Sequence, residues 1–165
     1  MYTLHYSSNF ESVVQIFLDD LNKLEAELPQ ILTGAALDHV AVVKQRIQNQ
    51  GIGSSGQSLT TKAAKRLGAY SKAYSRRRQK YGRQTAKVDL TMSGDLMRSF
   101  QVMPAQQLGS SVIVEAGFTD AAKVEIARGL EDYYGKAFYP TIQERRVIVQ
   151  GVVEAIRQRI RQGRL

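Results

Sequence analysis

The residues of this sequence with the clearest chemical potential are its cations. Twelve of the 23 Lys and Arg lie between His39 and Val88, a stretch without Asp or Glu. The other eleven (23 − 12) stand against all 15 acids, so the remainder carries a net charge of −4 (11 − 15). Such an asymmetry indicates an anionic partner: nucleic acid, a membrane surface or an acidic protein face, with protein favoured over nucleic acid. The predicted contact residues are Lys72, Arg76, Arg77, Arg78, Lys80 and Arg83.

Three tyrosines are interleaved with these cations, and two interpretations of them stay open. Tyr70, Tyr74 and Tyr81 can stack on bases while the cations neutralise phosphates. Their helical spacing also fits an apolar face that packs on the protein core. The spacing favours the core, because an amphipathic helix has to bury its apolar stripe.

Catalytic groups are scarce. The two histidines, His5 and His39, have no His-x-x-x-His spacing, and the sequence contains no Cys to serve as a nucleophile or thiolate ligand. His39 is interpreted as a core or interface residue, and Glu131-Asp132 as a surface or subunit contact rather than an acid/base pair. No Gly-x-Ser-x-Gly, His-Glu-x-x-His or dinucleotide-binding motif occurs. We therefore expect no enzyme, no cofactor, no metal site and no small-molecule substrate.

Membrane and export signals are also lacking in the sequence. No apolar run approaches the about 20 residues that a membrane span needs. The N-terminus has no basic-then-apolar signal pattern. We expect a protein that is made in the cytoplasm and has no membrane partner.

The elements that must position these residues begin with helices. A capping box of Ser8 and Glu11 predicts a helix over residues 8–28. Pro29 favours a break, because it lacks an N–H and its ring crowds the preceding turn, and a second helical pattern then extends to Ile47; one kinked helix is the alternative. The apolar stripe of the first helix consists of Phe10, Val13, Val14, Phe17, Leu21, Leu24 and Leu28.

The middle of the chain mixes loops, helices and strands. Residues 51–58 hold three Gly and three Ser and predict a flexible connection. Residues 61–81 have the pattern of a helix, whereas 86–92 and 101–116 alternate like strands, the latter as a hairpin that turns at 104–109. Ser93 is predicted to cap a short helix between the two strand segments.

Two more helices complete the chain. Thr119 is a predicted cap for a helix through Leu130, and Thr141 with Glu144 forms a second capping box. The stripe of the final helix consists of Ile142, Val149, Val153, Ile156 and Ile160.

The order of these elements predicts an α+β fold. We expect a small antiparallel sheet of three or four strands packed with several helices, and long N- and C-terminal helices. The length of 165 residues suits one domain over residues 1–165. We expect this domain to comprise an N-terminal helical part (8–50), a flexible linker (51–60) and an α+β core (61–162).

Three segments together resemble one family. They are AYSKAYSRRRQKYG (69–82), a helix of Ser, Tyr and basic residues that ends at glycine; VDLTMSGDLMRSF (88–100), a strand followed by a Thr/Ser-Gly-x-Leu element; and FYPTIQE (138–144), an aromatic junction before the last helix. The order and the residues of these segments resemble those of the neck and tail-completion proteins of long-tailed bacteriophages, also called virion morphogenesis or minor tail proteins.

The resemblance implies a structural virion protein made in the host cytoplasm and located in the neck or tail. It would assemble as a ring of six copies and join a head-side adaptor or head-closure protein to a tail terminator or tube protein, near the path of genomic DNA. No cofactor or catalysis is implied. The resemblance assigns a structural role to Ser93, Gly94, Leu96, Phe138 and Pro140.

Two other functions compete with the virion protein. One is a nucleic-acid-binding module that uses the basic helix 62–87. The other is a phage assembly chaperone that is absent from the mature virion. DNA binding that weakens with salt distinguishes the first, and mass spectrometry of purified particles distinguishes the second.

Overall fold

The computed structural model describes residues 10–109 and 111–162 and confirms the α+β class. In these residues the strands form three antiparallel pairs, β1–β2, β3–β6 and β4–β5, instead of one sheet of three or four strands. The elements are α1 Phe10–Gln45, which ends in a π turn Arg46–Gln50; β1 Arg66–Leu67; β2 Tyr70–Ser71; α2 Lys72–Lys80; α3 Asp95–Ser99; β3 Phe100–Val102; β4 Gln106–Leu108; β5 Ser111–Ile113; β6 Ala116–Phe118; α4 Ala121–Tyr134; and α5 Ile142–Gln162.

Helix α1 passes through Pro29 without a break, so the predicted break is wrong. The hydroxyl of Thr33 donates to the Pro29 carbonyl oxygen over 2.7 Å. A proline inside a helix costs about 3 kcal/mol, which packing of α1 along α5 offsets. Ser8 of the predicted capping box lies outside the described residues.

Two ion pairs bracket the antiparallel packing of α1 on α5. Arg46 Nε lies 2.9 Å from Glu144 Oε1 near the start of α5, and Arg159 Nε lies 2.8 Å from Glu27 Oε2 near its end. The capping box at the start of α5 is confirmed: the Glu144 amide donates to Thr141 Oγ1 (3.1 Å), and the Thr141 amide donates to Glu144 Oε2 (2.7 Å).

The helix predicted over 61–81 is wrong in its first half. The chain instead forms the β1–β2 hairpin, which turns at Gly68 with φ +65°, and α2 begins only at Lys72. A Cβ on Gly68 would lie 2.3 Å from the Thr85 carbonyl oxygen, so this turn packs too closely on its neighbour for any side chain. The hydroxyl of Ser71 then caps α2 by accepting the Tyr74 amide at 3.4 Å.

The strand predicted over 86–92 is also wrong. This segment is a loop with Leu90 at φ 50°, and its Val88 is fully buried. Gly94, with φ 90°, is the N-cap residue of α3, although the Ser93 hydroxyl does accept the Asp95 amide at 3.3 Å. Leu96 of this element is buried.

The hairpin predicted over 101–116 exists but is longer than expected. Strands β3 and β6 pair with Phe100 opposite Phe118, and β4 and β5 continue the hairpin with Gln106 opposite Ile113. Residues 104–109 therefore contain strand β4 rather than forming the turn. Asp120, not Thr119, caps α4 by accepting the Ala122 amide at 2.8 Å.

The Gly-rich segment 51–60 is a loop whose backbone is hydrogen-bonded within itself and to neighbouring segments. The Gly53 amide donates to the Gln57 carbonyl oxygen and the Ser54 amide to the Lys136 carbonyl oxygen, both over 2.8 Å. The Ser54 hydroxyl donates to the Tyr139 carbonyl oxygen, also over 2.8 Å. The loop therefore fastens the end of α1 to the junction before α5.

The core lies where α1 crosses the hairpin and the aromatic junction. Phe138 packs against Phe100 and Phe118, with ring centroids 5.6 and 4.9 Å apart, and Pro140 follows it half-buried. The buried cluster comprises Val40, Val43, Ile47, Leu59, Tyr70, Val88, Leu96, Met97, Phe100, Ala127, Ala137 and Phe138.

Candidate interaction surfaces

Helix α2 and the residues after it present a basic surface. Helix α2 is capped at Ser71 and carries Lys72, Arg76, Arg77, Arg78 and Lys80, of which only Arg78 is buried. The exposed members of the predicted contact set are Lys72, Arg76, Arg77, Lys80 and Arg83, called the basic surface below. Lys62, earlier in the chain, donates to the Asp132 carbonyl oxygen.

Arg78 does not belong to the basic surface, so its assignment as a contact residue is wrong. Its side chain is 1% exposed. Nη2 donates to both carboxylate oxygens of Asp89, at 3.0 and 2.9 Å. Nη1 and Nε donate to the carbonyl oxygens of Thr91 (2.9 Å) and Gln84 (2.8 Å). The guanidinium also lies 4.4 Å from the centroid of the Tyr70 ring.

The Arg78 site is a closed polar network inside the molecule. The Tyr70 hydroxyl donates to Asp89 Oδ1 and accepts the Asp89 amide, each over 2.9 Å. Burial raises the pKa of Tyr70, so its hydroxyl keeps its proton and stays a donor. The network holds the 84–91 loop against α2 and lets the other α2 cations face outward.

Arg46 is a second cation of the acid-free stretch that is neutralised internally. Besides Glu144 it donates to the carbonyl oxygens of Ile52 (2.8 Å), Ala137 (3.1 Å) and Tyr139 (2.7 Å). Its acid lies 98 residues away in sequence, which explains why the local charge pattern did not reveal the pair. Both buried pairs are structural.

A cavity of about 640 Å³ lies between α2, the 90–96 loop and α4 and is called the tyrosine cavity below. Burial, followed by the neighbouring Tyr74, raises the pKa of Tyr134 to about 12, which marks an apolar environment. The volume is typical of sites that receive a ligand or a protein side-chain cluster. Its wall includes Tyr70, Tyr74, Tyr133, Tyr134, Ile126 and Leu130.

The N-terminal part of α1 carries an exposed apolar face. Gln162 at the end of α5 faces Asp20, Lys23 and Leu24 across a shared groove, so residues 10–19 extend past the described end of α5. We call residues 10–21 the α1 tip. Its apolar side chains at i, i+3, i+4 and i+7 are exposed: Val14 37%, Phe17 58%, Leu18 46% and Leu21 44%.

The predicted stripe of α5 also faces outward. Val149, Val153 and Ile160 are exposed and Ile156 is half-buried. On the side toward α1, Ile148 and Val152, together with Val149 of the stripe, line a groove that they share with Leu32 and Ala36. The helix therefore has apolar residues on two sides.

The polar groups considered for catalysis have structural surroundings. Glu131 Oε1 accepts the amides of Ala137 (2.8 Å) and Phe138 (3.0 Å) and thereby braces the aromatic junction. His39 is half-buried with its ring edge toward Phe100, and burial lowers its pKa. His5 lies outside the described residues. Within residues 10–109 and 111–162, no group of three or more His, Cys, Asp or Glu is placed to hold a metal ion.

None of the helices that the structure describes has both the length and the apolar character needed to cross a membrane. No model of a known protein family matches the chain, and no curated protein or solved structure matches it either. A function must therefore be inferred from the surfaces of the chain itself.

The sequence interpretation missed the tyrosine cavity and misjudged the α1 tip. The spacing of Val14, Phe17 and Leu21 predicts an apolar stripe but does not show that this part of it is exposed. No local pattern marked Ile126 or Gly129 as cavity residues, because they come together with α2 only in the fold.

Proposed function

We propose that this chain is a structural virion protein of a long-tailed bacteriophage, a ring-forming neck or tail-completion subunit that joins the head connector to the tail. Its partners in this proposal are copies of itself in a ring of six, a head-side adaptor or head-closure protein, and a tail terminator or tube protein. It works by binding, with no turnover of a substrate.

The observation that carries this proposal is the presence of two unlike surfaces in one small subunit. The α1 tip is apolar with only acidic charges, whereas the basic surface around α2 has only cations. A ring requires such a pair of different, complementary surfaces, because each copy uses one surface toward each neighbour. The three sequence segments that resemble the phage family supply the location.

Deletion of the gene in the phage tests the proposal. DNA-filled heads and separate tails that fail to join are the expected products, and re-expression of the chain restores infectious particles. Mass spectrometry of purified virions is expected to detect the chain. An assembly chaperone would be absent from those virions. Normal infectious particles from the deletion phage would contradict the proposal.

A second candidate, nucleic-acid binding, is favoured by the position of Tyr81. This tyrosine is 61% exposed and stands between Lys80 and Arg83, so its ring is free to stack on a base. Tyr70 and Tyr74, the other two tyrosines interleaved with the cations, pack instead on the core. Binding of single-stranded DNA that weakens steeply with salt and is reduced by Tyr81→Ala would support this candidate, and no binding at low salt would remove it.

A further inference from the structure

We propose that the α1 tip of one copy docks into the tyrosine cavity of the next copy, so that the chain associates head to tail. This inference deepens the proposed ring-forming function and rests on it for its setting. The contact itself is argued from the two surfaces and is independent of where in a virion the ring would lie.

The α1 tip has the form of a docking helix. Its stripe continues through the half-buried Leu24, which lines a groove together with Arg159 and Gln162 of α5. Val14, Phe17 and Leu18 lie beyond the described end of that helix. An amphipathic stripe stabilises a protein only when another apolar surface covers it. The helical spacing of its residues matches the way one helix lays an apolar ridge into a groove.

The tyrosine cavity is a receptor of suitable shape and chemistry. It is concave and lined mainly by aromatic and aliphatic side chains, and no residue of α1 contributes to its wall. Asp95 lies at the edge of the cavity, where its carboxylate pairs with Arg98. Its negative charge is therefore compensated and does not repel an acidic ligand. At Gly129 in α4, the space where a side chain would stand is empty.

The two surfaces cannot meet within one subunit. The cavity wall at Leu90 and Met92 adjoins the end of α1, where Gln48 Nε2 donates to Thr91 Oγ1 over 3.2 Å. Leu18 lies 30 residues earlier in nearly continuous helix, about 45 Å away at 1.5 Å per residue. Only another copy can bring its tip to this cavity.

Charge complementarity selects a copy of this chain as the occupant. The α1 tip carries Glu11, Asp19 and Asp20 and no cation. Arg77, three residues after the cavity residue Tyr74, lies beside it on the α2 surface, and Lys123 lines the cavity itself. An acidic helix is thus drawn toward a basic rim, whereas two acidic tips repel each other.

Sedimentation velocity across a range of protein concentrations tests the inference. The double variant Phe17→Ser with Leu21→Ser removes the ridge, and Gly129→Leu fills the cavity. Each is expected to weaken self-association roughly thirtyfold, the effect of losing a central interface contact. Both changes keep the fold, because the tip is exposed and Gly129 is a helical residue with open space beside it.

Matched controls exist for both changes. Ile16 is 58% exposed, like Phe17, but lies on the opposite side of α1, so Ile16→Ser should associate like the unaltered protein. Gly34→Leu places the same side chain into open space on α1, far from the cavity, and should also leave association unchanged.

Mixing the two defective variants identifies the geometry. A tip-defective copy still has a cavity and a cavity-filled copy still has a tip, so a 1:1 mixture is expected to form a dimer with one intact junction and to grow no further. A symmetric tip-to-tip contact would give no such dimer. That result would overturn the inference, as would an unaltered protein that stays monomeric or a Gly129→Leu variant that associates normally.

The outcomes separate this inference from the proposed function. Head-to-tail association with the expected variant effects, in a protein that purified virions lack, would contradict the virion role and leave the contact standing. A virion that contains the chain but tolerates the Phe17→Ser, Leu21→Ser variant without loss of the ring would contradict the contact alone.

Discussion

Replacement of Arg78 by alanine is expected to destabilise the fold, because its guanidinium is bound inside the molecule. The guanidinium binds Asp89, the carbonyl oxygens of Gln84 and Thr91, and the face of Tyr70. Alanine removes all of these at once. Asp89 then stays in its site as a carboxylate without a counter-charge.

The magnitude follows from the burial of the pair. Removal of one partner of a buried ion pair costs about 3–5 kcal/mol. The Arg78 side chain is 1% exposed and that of Asp89 is 12% exposed, so some water reaches the carboxylate. We therefore expect the lower end, a loss of about 3 kcal/mol in the free energy of unfolding, which lowers Tm by about 6–12 °C for a chain of this size.

Urea denaturation monitored by circular dichroism measures this loss. The neighbouring Arg77→Ala is the matched control, because Arg77 is exposed on the same helix, and its change is expected to stay within about 0.5 kcal/mol. Arg78→Lys keeps the charge but cannot donate to Asp89, Gln84 and Thr91 at the same time, as the guanidinium does, so we expect an intermediate loss. A double-mutant cycle with Asp89→Asn isolates the coupling between the two side chains.

The prediction is contradicted if Arg78→Ala lowers the free energy of unfolding by less than about 1 kcal/mol, since loss of one partner of a buried ion pair costs more than that. Equal effects of Arg77→Ala and Arg78→Ala on self-association, with stability unchanged in both, would return Arg78 to the contact surface that its position in the sequence suggested.

Three further predictions concern the backbone and a tyrosine. Gly68→Ala is expected to destabilise the protein by at least about 2 kcal/mol more than Gly56→Ala in urea denaturation. Both glycines have positive φ, but only at Gly68 would a Cβ meet the Thr85 carbonyl oxygen. Equal losses in the two variants would contradict this prediction. Pro29→Ala should stabilise by about 1–3 kcal/mol in the same assay by restoring a helical N–H, whereas a loss would mean that α1 requires the proline there. Burial raises the pKa of Tyr134 from 10.0 to about 12, so the unfolded chain loses this proton first and the free energy of unfolding should fall between pH 10 and 12. Tyr134→Phe should reduce that fall. An identical pH profile in the variant would count against an apolar environment for this tyrosine.

The parts of the fold that the sequence predicted correctly depend on local chemistry. The Thr141–Glu144 capping box is an arrangement of neighbours in the chain, and the structure contains both of its hydrogen bonds. The α+β class also followed from the order of local patterns. These features need no knowledge of distant contacts.

The incorrect predictions concern residues whose surroundings come from distant segments. Gly68 sits in a tight turn because Thr85 packs beside it, and Val88 is buried in a loop although its alternation fits a strand. Arg78 lay within a run that had no acid, yet Asp89, one residue beyond that run, neutralises it. The charge pattern therefore located the basic surface but did not separate the buried Arg78 from its exposed neighbours.

The exposure of apolar residues also depends on distant segments and could not be predicted from local sequence patterns. Periodicity predicted stripes on α1 and α5 but not which partner covers each part of them. Phe17 and Val149 belong to predicted stripes and are nevertheless exposed in the subunit. Only the relative lengths and positions of the helices reveal these surfaces, and both depend on the tertiary structure.

Cryo-electron microscopy of an intact phage particle tests the central claim most directly. The expected result is a ring of this chain at the junction of head and tail, with Phe17 of each copy within about 4 Å of Tyr74 in the next. A particle without the chain, or one in which its copies do not contact each other, would contradict the claim.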